Sequence, residues 1–248
     1  MQGDVVDLRD FYRTPLGQVA RRMINRRVRQ IWPSAAGMNV LGIGYATPFL
    51  GRFVEEAERV VACMPATQGV VAWPADAPNR ATIGDEGELP FPGAFFDRIV
   101  MVHVLEGSEQ VRPLLREIWR VLAGGGRLLV VVPNRRGLWA RRDMTPFGHG
   151  HPYSVGQLSR LLRDCLFVPT QATQALFVPP FRWRLLHRGA VAWERAGERW
   201  FPRFAGVVMI EATKQIYAAT PLRMAARAER TVADGSMRPV GARRTGPP

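Results

Sequence analysis

Hydrophobic and polar positions follow the clearest pattern of the chain between residues 89 and 133. The apolar run Arg98–Leu105 has the length of a strand that is buried on both faces. After Ser108, the predicted N-cap, apolar residues recur at intervals of three and four, which predicts an amphipathic helix. Gly124–Gly126 ends that helix, and Arg127–Val132 is again a short apolar run. Strand, helix and strand in this order predict two parallel strands of an α/β sheet.

The same criteria predict further elements on both sides of this unit. Strands are predicted at Met38–Gly44, Arg59–Met64, Asn79–Ile83, Leu166–Pro169 and Ala205–Tyr217, and helices at Pro48–Glu58 and Ser154–Leu162. Thr14 and Pro15 form a cap and a first helical position, so a helix is predicted within Asp10–Trp32. One face of this helix is apolar and the rest is rich in arginine, so we predict a lid over the sheet. A helix that lies on an anionic surface is the alternative.

These elements divide the chain into three parts. Residues 1–36 are predicted to hold the lid helix, and residues 37–220 one α/β domain. A helical insertion rich in tryptophan and arginine is predicted at about 179–204, where it could line an acceptor pocket, dock at a membrane interface or simply pack. Residues 221–248 have few apolar positions and scattered arginine, glycine and proline, which predicts a disordered basic tail.

The succession LPF, FDRIVMVHVLE and LLREIWRVLAGGGRLLVVVP resembles the class I S-adenosylmethionine-dependent methyltransferases. Within that family it is most similar to the subgroup of the quinone-biosynthesis methyltransferases. The resemblance covers about residues 38–166. It implies an α/β, Rossmann-like fold with a mostly parallel seven-stranded sheet and helices on both faces. It also implies methyl transfer from S-adenosylmethionine to a small-molecule acceptor, a reaction that depends on alignment and exclusion of water.

The resemblance also implies which residues contact the cofactor. They are Gly42, Gly44, Tyr45 and Ala46 in the glycine loop, Met64 after the second strand, Asp85 and Glu86 after the third, and His103 after the fourth. His103 is also the candidate catalytic base, with packing beneath the cofactor as the alternative. Gly44→Val is expected to abolish cofactor binding and to leave the fold largely intact.

The cofactor loop departs from the family pattern. The acidic residue that normally precedes the glycines is missing, Pro48 stands in place of the third glycine, and Met64 replaces the acid that binds the ribose hydroxyls. Loss of such a charge-assisted contact costs roughly 1.5–3 kcal/mol per bond. We therefore expect a degenerate loop with weakened binding, and a non-catalytic binding or scaffolding protein is the alternative function.

A glycine-rich segment, Thr145–Tyr153, follows the fifth predicted strand. His149, His151 and Tyr153 in this segment are the candidate substrate contacts. Two histidines without a third ligand nearby do not make a metal site, so no metal is expected.

Charge and composition limit the partners. The net charge is +13, and 33 of the 34 basic residues are arginine. Genomic base composition and an anionic partner explain this equally well. An anionic or membrane-associated acceptor and an anionic membrane surface are the expected partners, whereas no nucleic-acid motif is present. Two cysteines give no disulfide framework, and no apolar run is long enough to cross a bilayer. No signal-peptide pattern is found either. A cytoplasmic protein is therefore expected, with peripheral attachment to the membrane as the alternative.

Overall fold

The structure of the protein, a computed structural model, describes residues 4–142, 144–180, 194, 197, 199–200 and 204–215. Most of the predicted insertion and all of the predicted tail lie outside these residues.

A single mixed sheet forms the centre of the described structure. Its strands are β1 Asn39–Gly44, β2 Arg59–Pro65, β3 Ala81–Gly84, β4 Phe96–Val102, β5 Leu122–Pro133, β6 Phe167–Ala175 and β7 Val207–Lys214. They lie in the order β3-β2-β1-β4-β5-β7-β6. The pairings from β3 to β5 are parallel, and β7 runs antiparallel to both β5 and β6. The predicted seven-stranded, mostly parallel sheet is therefore confirmed.

Six α-helices lie wholly within the described residues, and residues 194, 197 and 199–200 are also helical. The six are α1 Val5–Arg13, α2 Pro15–Ile31, α3 Thr47–Leu50, α4 Phe53–Glu56, α5 Val111–Val121 and α6 Val155–Asp164. The prediction of one N-terminal helix is incomplete because α1 precedes it, and the single helix predicted at Pro48–Glu58 is two short ones. The prediction of Ser108 as the cap of α5 is wrong, because Gln110 occupies the cap position. The Ser108 hydroxyl donates to Glu86 and accepts from the amide of Gln110.

The apolar strands are covered on both faces, which explains their composition. Along β5, Leu129 and Val131 join a core cluster with α1 and α2, whereas Leu128 and Val130 join the cluster that contains α5 and α6. Successive side chains of a strand point to opposite faces, so each strand contributes to both cores. Ligands of open α/β sheets bind at the carboxyl ends of the strands, so a ligand site is expected at that edge of this sheet.

Side-chain caps set the starts of the two N-terminal helices. Asp4 accepts a hydrogen bond from the amide of Val6 at 2.8 Å and begins α1. Thr14 accepts from the amide of Gly17 at 3.0 Å, with Pro15 at the first position of α2, as predicted. A short extended cap thus separates the two helices, and this lets α1 turn away from the axis of α2.

Buried Glu211 on β7 fixes the end of α2 against the sheet. Its carboxylate accepts hydrogen bonds from Trp32 Nε1 at 2.7 Å, from Thr170 Oγ1 at 2.9 Å and from Arg127 Nη1 at 3.1 Å. A buried carboxylate is tolerated when its oxygens are bonded in this way. The contact joins residues 179 positions apart in the chain and holds α2 on one face of the sheet.

Both cysteines are buried and unpaired. Burial raises the pKa of the Cys63 thiol to about 12. The pKa of Cys165 is also raised, chiefly by burial. Both side chains therefore remain thiols at neutral pH and act as small apolar groups of the core.

Candidate active site

The carboxyl ends of β1, β2 and β4 meet beneath α1. Gly44 at the end of β1 pairs with Val102 at the end of β4. Tyr45, Ala46, Met64 and His103 at this edge are all buried. Together with Gly42 and Gly44, six of the eight predicted cofactor contacts thus lie under protein rather than at an open surface.

Gly44 is required by the fold itself. Its φ is +74°, and a Cβ atom there would lie 2.4 Å from the backbone oxygen of Val102 and 2.8 Å from the Cβ of Val104. The expectation that Gly44→Val leaves the fold intact is therefore wrong, because a side chain would clash with backbone before it met a ligand. At Gly42, a Cβ atom would meet Leu50 Cδ1 at 2.6 Å, so this glycine allows the close packing of α3 on β1.

A buried chain of hydrogen bonds runs from α1 to the loop after β4. The hydroxyl of Tyr12 lies 2.7 Å from Nε2 of His103, and Nδ1 of His103 lies 3.3 Å from Oε1 of Glu106. All three side chains are buried. The Tyr12 ring also stacks on Tyr45, with 5.9 Å between centroids. The histidine predicted to be catalytic is thus held between a phenol and a carboxylate.

The proton positions in this chain follow from its charges. Burial raises the pKa of Tyr12 well above its ordinary value, and the nearby carboxylate of Glu106 raises it further. Tyr12 therefore keeps its proton at neutral pH. If Nδ1 of His103 lacked a proton, its lone pair would face the carboxylate, so Nδ1 donates to Glu106 and Nε2 accepts from Tyr12.

Gln68 joins α1 to the same edge. Its backbone oxygen accepts from the amide of Val5 at 2.9 Å, and its side-chain Nε2 donates to the backbone oxygen of His103 at 2.7 Å. Within the described part of the chain, Gln68 Oε1 and Glu106 Oε2 are buried oxygens without a hydrogen-bond partner. Unsatisfied buried acceptors are uncommon in proteins, and at a ligand-binding edge they indicate groups that a ligand can engage.

A cleft of about 430 Å³ opens beside this chain, next to the ends of β2 and β3. It is lined by Ala66, Thr67, Asp85, Glu86, Gly107, Glu109 and Gln110. Asp85 is exposed, and its Oδ1 accepts from the amide of Gly87 at 2.7 Å. The lining offers three carboxylates that can accept hydrogen bonds from amino and hydroxyl groups, which fits the nucleoside part of S-adenosylmethionine.

Met64, Gly42 and Ala46 do not line this cleft. Met64 is fully buried in the core cluster that also contains α1. It has no polar atom with which to bind a ribose, whereas Glu109 and Gln110, which sequence reasoning missed, do line the cleft. Both residues lie far along the sequence from the glycine loop, and no sequence motif marked them as cleft residues.

The glycine-rich segment after β5 packs on the edge, as predicted, but through other residues. The Phe147 ring lies 4.9 Å from that of His103, and the amide of His151 donates to the backbone oxygen of Glu106 at 2.7 Å. The side chains of His149 and His151 are exposed. Tyr153 is half-buried, and burial together with the charge of Glu106 raises its pKa. Tyr153 is therefore the candidate of this segment that faces the buried chain.

The described residues hold neither a cluster of metal ligands nor a membrane-spanning helix. No cluster of three or more histidine, cysteine or acidic side chains there could hold a metal ion. None of the helices in that part of the chain is long and apolar enough to span a bilayer.

Comparison with known proteins agrees with this geometry. Residues 40–130, which include β1, β2, β3, β4, α5 and most of β5, match the family described as a methyltransferase domain. A crystal structure from Thermotoga maritima, an S-adenosylmethionine-dependent methyltransferase described as a possible histamine N-methyltransferase, superposes with a TM-score of 0.59 at 18% identity. The superposition covers 85% of this chain and 96% of the other. Over residues 40–130 the chain is thus similar to a methyltransferase domain, and its fold is that of the solved S-adenosylmethionine-dependent methyltransferase.

Two mycobacterial relatives carry the same description in their names. A probable S-adenosylmethionine-dependent methyltransferase of Mycobacterium tuberculosis is 39% identical over 83 residues, which are 33% of this chain and 30% of the relative. Another from Mycolicibacterium smegmatis is 30% identical over 136 residues, or 53% of this chain and 52% of the relative. The chain thus spans about half the length or less of the curated relatives that it matches. S-adenosylmethionine is the cofactor of this methyltransferase family, and the quinone-biosynthesis subgroup stays a prediction.

Proposed function

We propose that the protein transfers a methyl group from S-adenosylmethionine to a small-molecule acceptor at the carboxyl edge of its sheet. The observation that carries the proposal is the carboxylate-lined cleft beside the buried Tyr12–His103–Glu106 chain. Because the chain is rich in arginine, we propose that the acceptor is anionic or membrane-associated. The protein would meet this acceptor at an anionic membrane surface.

In this proposal the cleft holds the cofactor. Asp85, Glu86 and Glu109 accept hydrogen bonds from its amino and hydroxyl groups. The turn Gly44–Ala46 is buried and does not line the cleft, so it contributes only the shape of the sheet edge beside it. The unsatisfied oxygens of Gln68 and Glu106 are further acceptors near the same edge. When bound, S-adenosylmethionine supplies an electrophilic methyl group.

His103 takes the proton that the acceptor loses. The acceptor's proton moves to the phenolic oxygen of Tyr12 while the phenolic proton moves to Nε2 of His103. The imidazolium that results faces the carboxylate of Glu106, which stabilises its positive charge. Once it has lost its proton, the acceptor atom would be the nucleophile for the methyl group that S-adenosylmethionine supplies. His149, His151 and Tyr153 are the proposed acceptor contacts, with Tyr153 nearest to Glu106.

Removal of the Asp85 charge tests the cofactor cleft. We expect Asp85→Asn to weaken S-adenosylmethionine binding about tenfold, because a charge-assisted hydrogen bond becomes a neutral one. The amide oxygen can still accept from Gly87, so the turn is preserved. Calorimetric titration of both proteins measures the change, and Asp76→Asn, an exposed aspartate outside the cleft, is the matched control. Equal affinities of Asp85→Asn and the wild type would place the cofactor elsewhere.

A transfer assay separates the enzyme from a non-catalytic binding protein. The full chain is incubated with S-adenosylmethionine labelled in its methyl group and with lipid and small-molecule extracts of cells. An enzyme moves label into the extract and forms S-adenosylhomocysteine. Binding without transfer in every extract would support a binding or scaffolding role, the function that the apolar Met64 would favour.

A further inference from the structure

A second concave site lies on the polar face of α2. Its volume is about 540 Å³, within the range of small-molecule sites. Its lining residues are Gln18, Arg21, Arg22, Asn25, Arg26, Arg29, Pro48, Gly51 and Arg52. We refer to these residues as the arginine cleft. Five of the nine carry a guanidinium group, and none is acidic.

Three of these arginines lack a counter-ion. Within the part of the chain that the structure describes, Arg22, Arg26 and Arg29 form no salt bridge. Arg52 in the cleft pairs with Glu56 at 3.6 Å, and five arginines outside it are paired: Arg9 and Arg13 with Asp10, Arg112 with Asp164, Arg120 with Glu117 and Arg127 with Glu211. Base composition would account for the number of arginines, but not for their collection in one cleft without acids.

The sequence of α2 places these side chains on one face. Arg22, Arg26 and Arg29 are spaced by four and three residues, so they project from neighbouring turns. Like charges at this spacing destabilise a helix. The helix contains no aspartate or glutamate that would offset them. A face with uncompensated repulsion is expected where a bound anion supplies the missing charge.

The floor of the cleft is ordered by contacts between α2 and α3. Arg21 Nε and Asn25 Nδ2 both donate to the backbone oxygen of Pro48, at 3.2 and 3.1 Å. Arg52 donates through Nη2 to the backbone oxygen of Pro33 at 2.8 Å, while its Nη1 is buried without a hydrogen-bond partner. Two arginines are thus held in place at the floor, and the three unpaired ones surround them.

We propose that the arginine cleft binds a small soluble ligand that carries two or more linked phosphate groups. Guanidinium groups match phosphate oxygens with paired hydrogen bonds, and several of them require a ligand with several charges. The concave shape suits a compact molecule rather than a flat bilayer. This site is separate from the proposed methyl-transfer site, and its ligand is independent of that proposal.

The test uses tripolyphosphate and pyrophosphate as probes, at constant ionic strength because salt screens exposed charges. Calorimetric titration compares the full-length wild type with the variant Arg22→Gln, Arg26→Gln, Arg29→Gln. Glutamine has nearly the helix propensity of arginine, so α2 is preserved. A matched control, Arg116→Gln, Arg160→Gln, Arg163→Gln, removes the same charge from exposed positions on α5 and α6. We expect the cleft variant to bind tripolyphosphate at least about tenfold more weakly than either the wild type or the control.

Three results would overturn the proposal. They are wild-type affinity in the cleft variant, an equal loss in the control, and salt-sensitive binding to phosphatidylglycerol vesicles without binding of either phosphate probe. If the triple variant fails to fold, Arg26→Lys keeps the charge and loses the forked geometry. It is then expected to bind tripolyphosphate severalfold more weakly at an unchanged unfolding temperature, and unchanged affinity would contradict the proposal.

Discussion

Gly44→Val is expected to destabilise the protein by about 3 kcal/mol or more in the absence of any ligand. A β-branched residue is strained at a φ of +74°, and its Cβ would overlap the backbone oxygen of Val102. That oxygen belongs to the last residue of β4, in the middle of the sheet, so it cannot move without disturbing the pairing of β1 with β4. Urea denaturation followed by tryptophan fluorescence measures the effect.

A second glycine provides the control for this substitution. Gly156 on α6 is exposed, and a Cβ there would meet nothing within 4 Å. Gly156→Val should therefore change the free energy of unfolding by less than about 1 kcal/mol. If Gly44→Val kept the wild-type denaturation midpoint and lost only cofactor binding, then glycine would be required here by ligand contact and not by the backbone clash described above.

The second large effect is expected at Tyr12. Replacement by alanine should cost about 3–5 kcal/mol, because it empties a buried aromatic site and breaks the hydrogen bond to His103. Tyr12→Phe removes only the hydroxyl, leaves Nε2 of His103 without a donor, and should cost about 1–3 kcal/mol. Urea denaturation measures the free energy of unfolding of each variant and so ranks their stabilities.

Trypsin shows whether the loss is local to α1. Arg9 and Arg13 flank Tyr12 on this helix, and Arg13 is exposed, so cleavage after these residues should become faster when α1 leaves the edge. Phe11→Ala is the control, because Phe11 is the neighbouring aromatic residue and is only half-buried. A Tyr12→Ala protein that is as stable and as resistant to trypsin as the Phe11→Ala protein would show that α1 is not anchored by Tyr12.

The sheet was predictable because its strands are covered on both faces. Runs such as Arg127–Val132 are too apolar and too short for another element, and the residues between them fit helices. The helix α1 was missed although Val5, Leu8 and Tyr12 recur at helical spacing, because the prediction started the helix at the Thr14–Pro15 cap. The Ser108 cap failed for a different reason: its hydroxyl oxygen accepts from the amide of Gln110, the residue before the first helical position.

The candidate site was only partly predictable. His103, Asp85 and Glu86 could be assigned from their places after strands, because those places meet at one edge of the sheet. The partner of His103 could not, because Tyr12 lies 91 residues away and reaches it only through the packing of α1. The role of Gly44 was misjudged for a similar reason: a sequence shows that a glycine is present, but not which backbone atom lies against it.

The two buried cysteines provide an internal gauge of how often the molecule opens. Thiol reagents attack the thiolate, and at neutral pH a thiol with a pKa of about 12 is almost entirely protonated as well as enclosed. Alkylation of Cys63 therefore has to wait for the strands around it to separate. The rate of alkylation by an excess of iodoacetamide reports the frequency of that opening without an engineered probe. It also distinguishes local detachment of α1, which leaves the apolar cluster around Cys63 closed, from separation of the central strands, which exposes this cysteine.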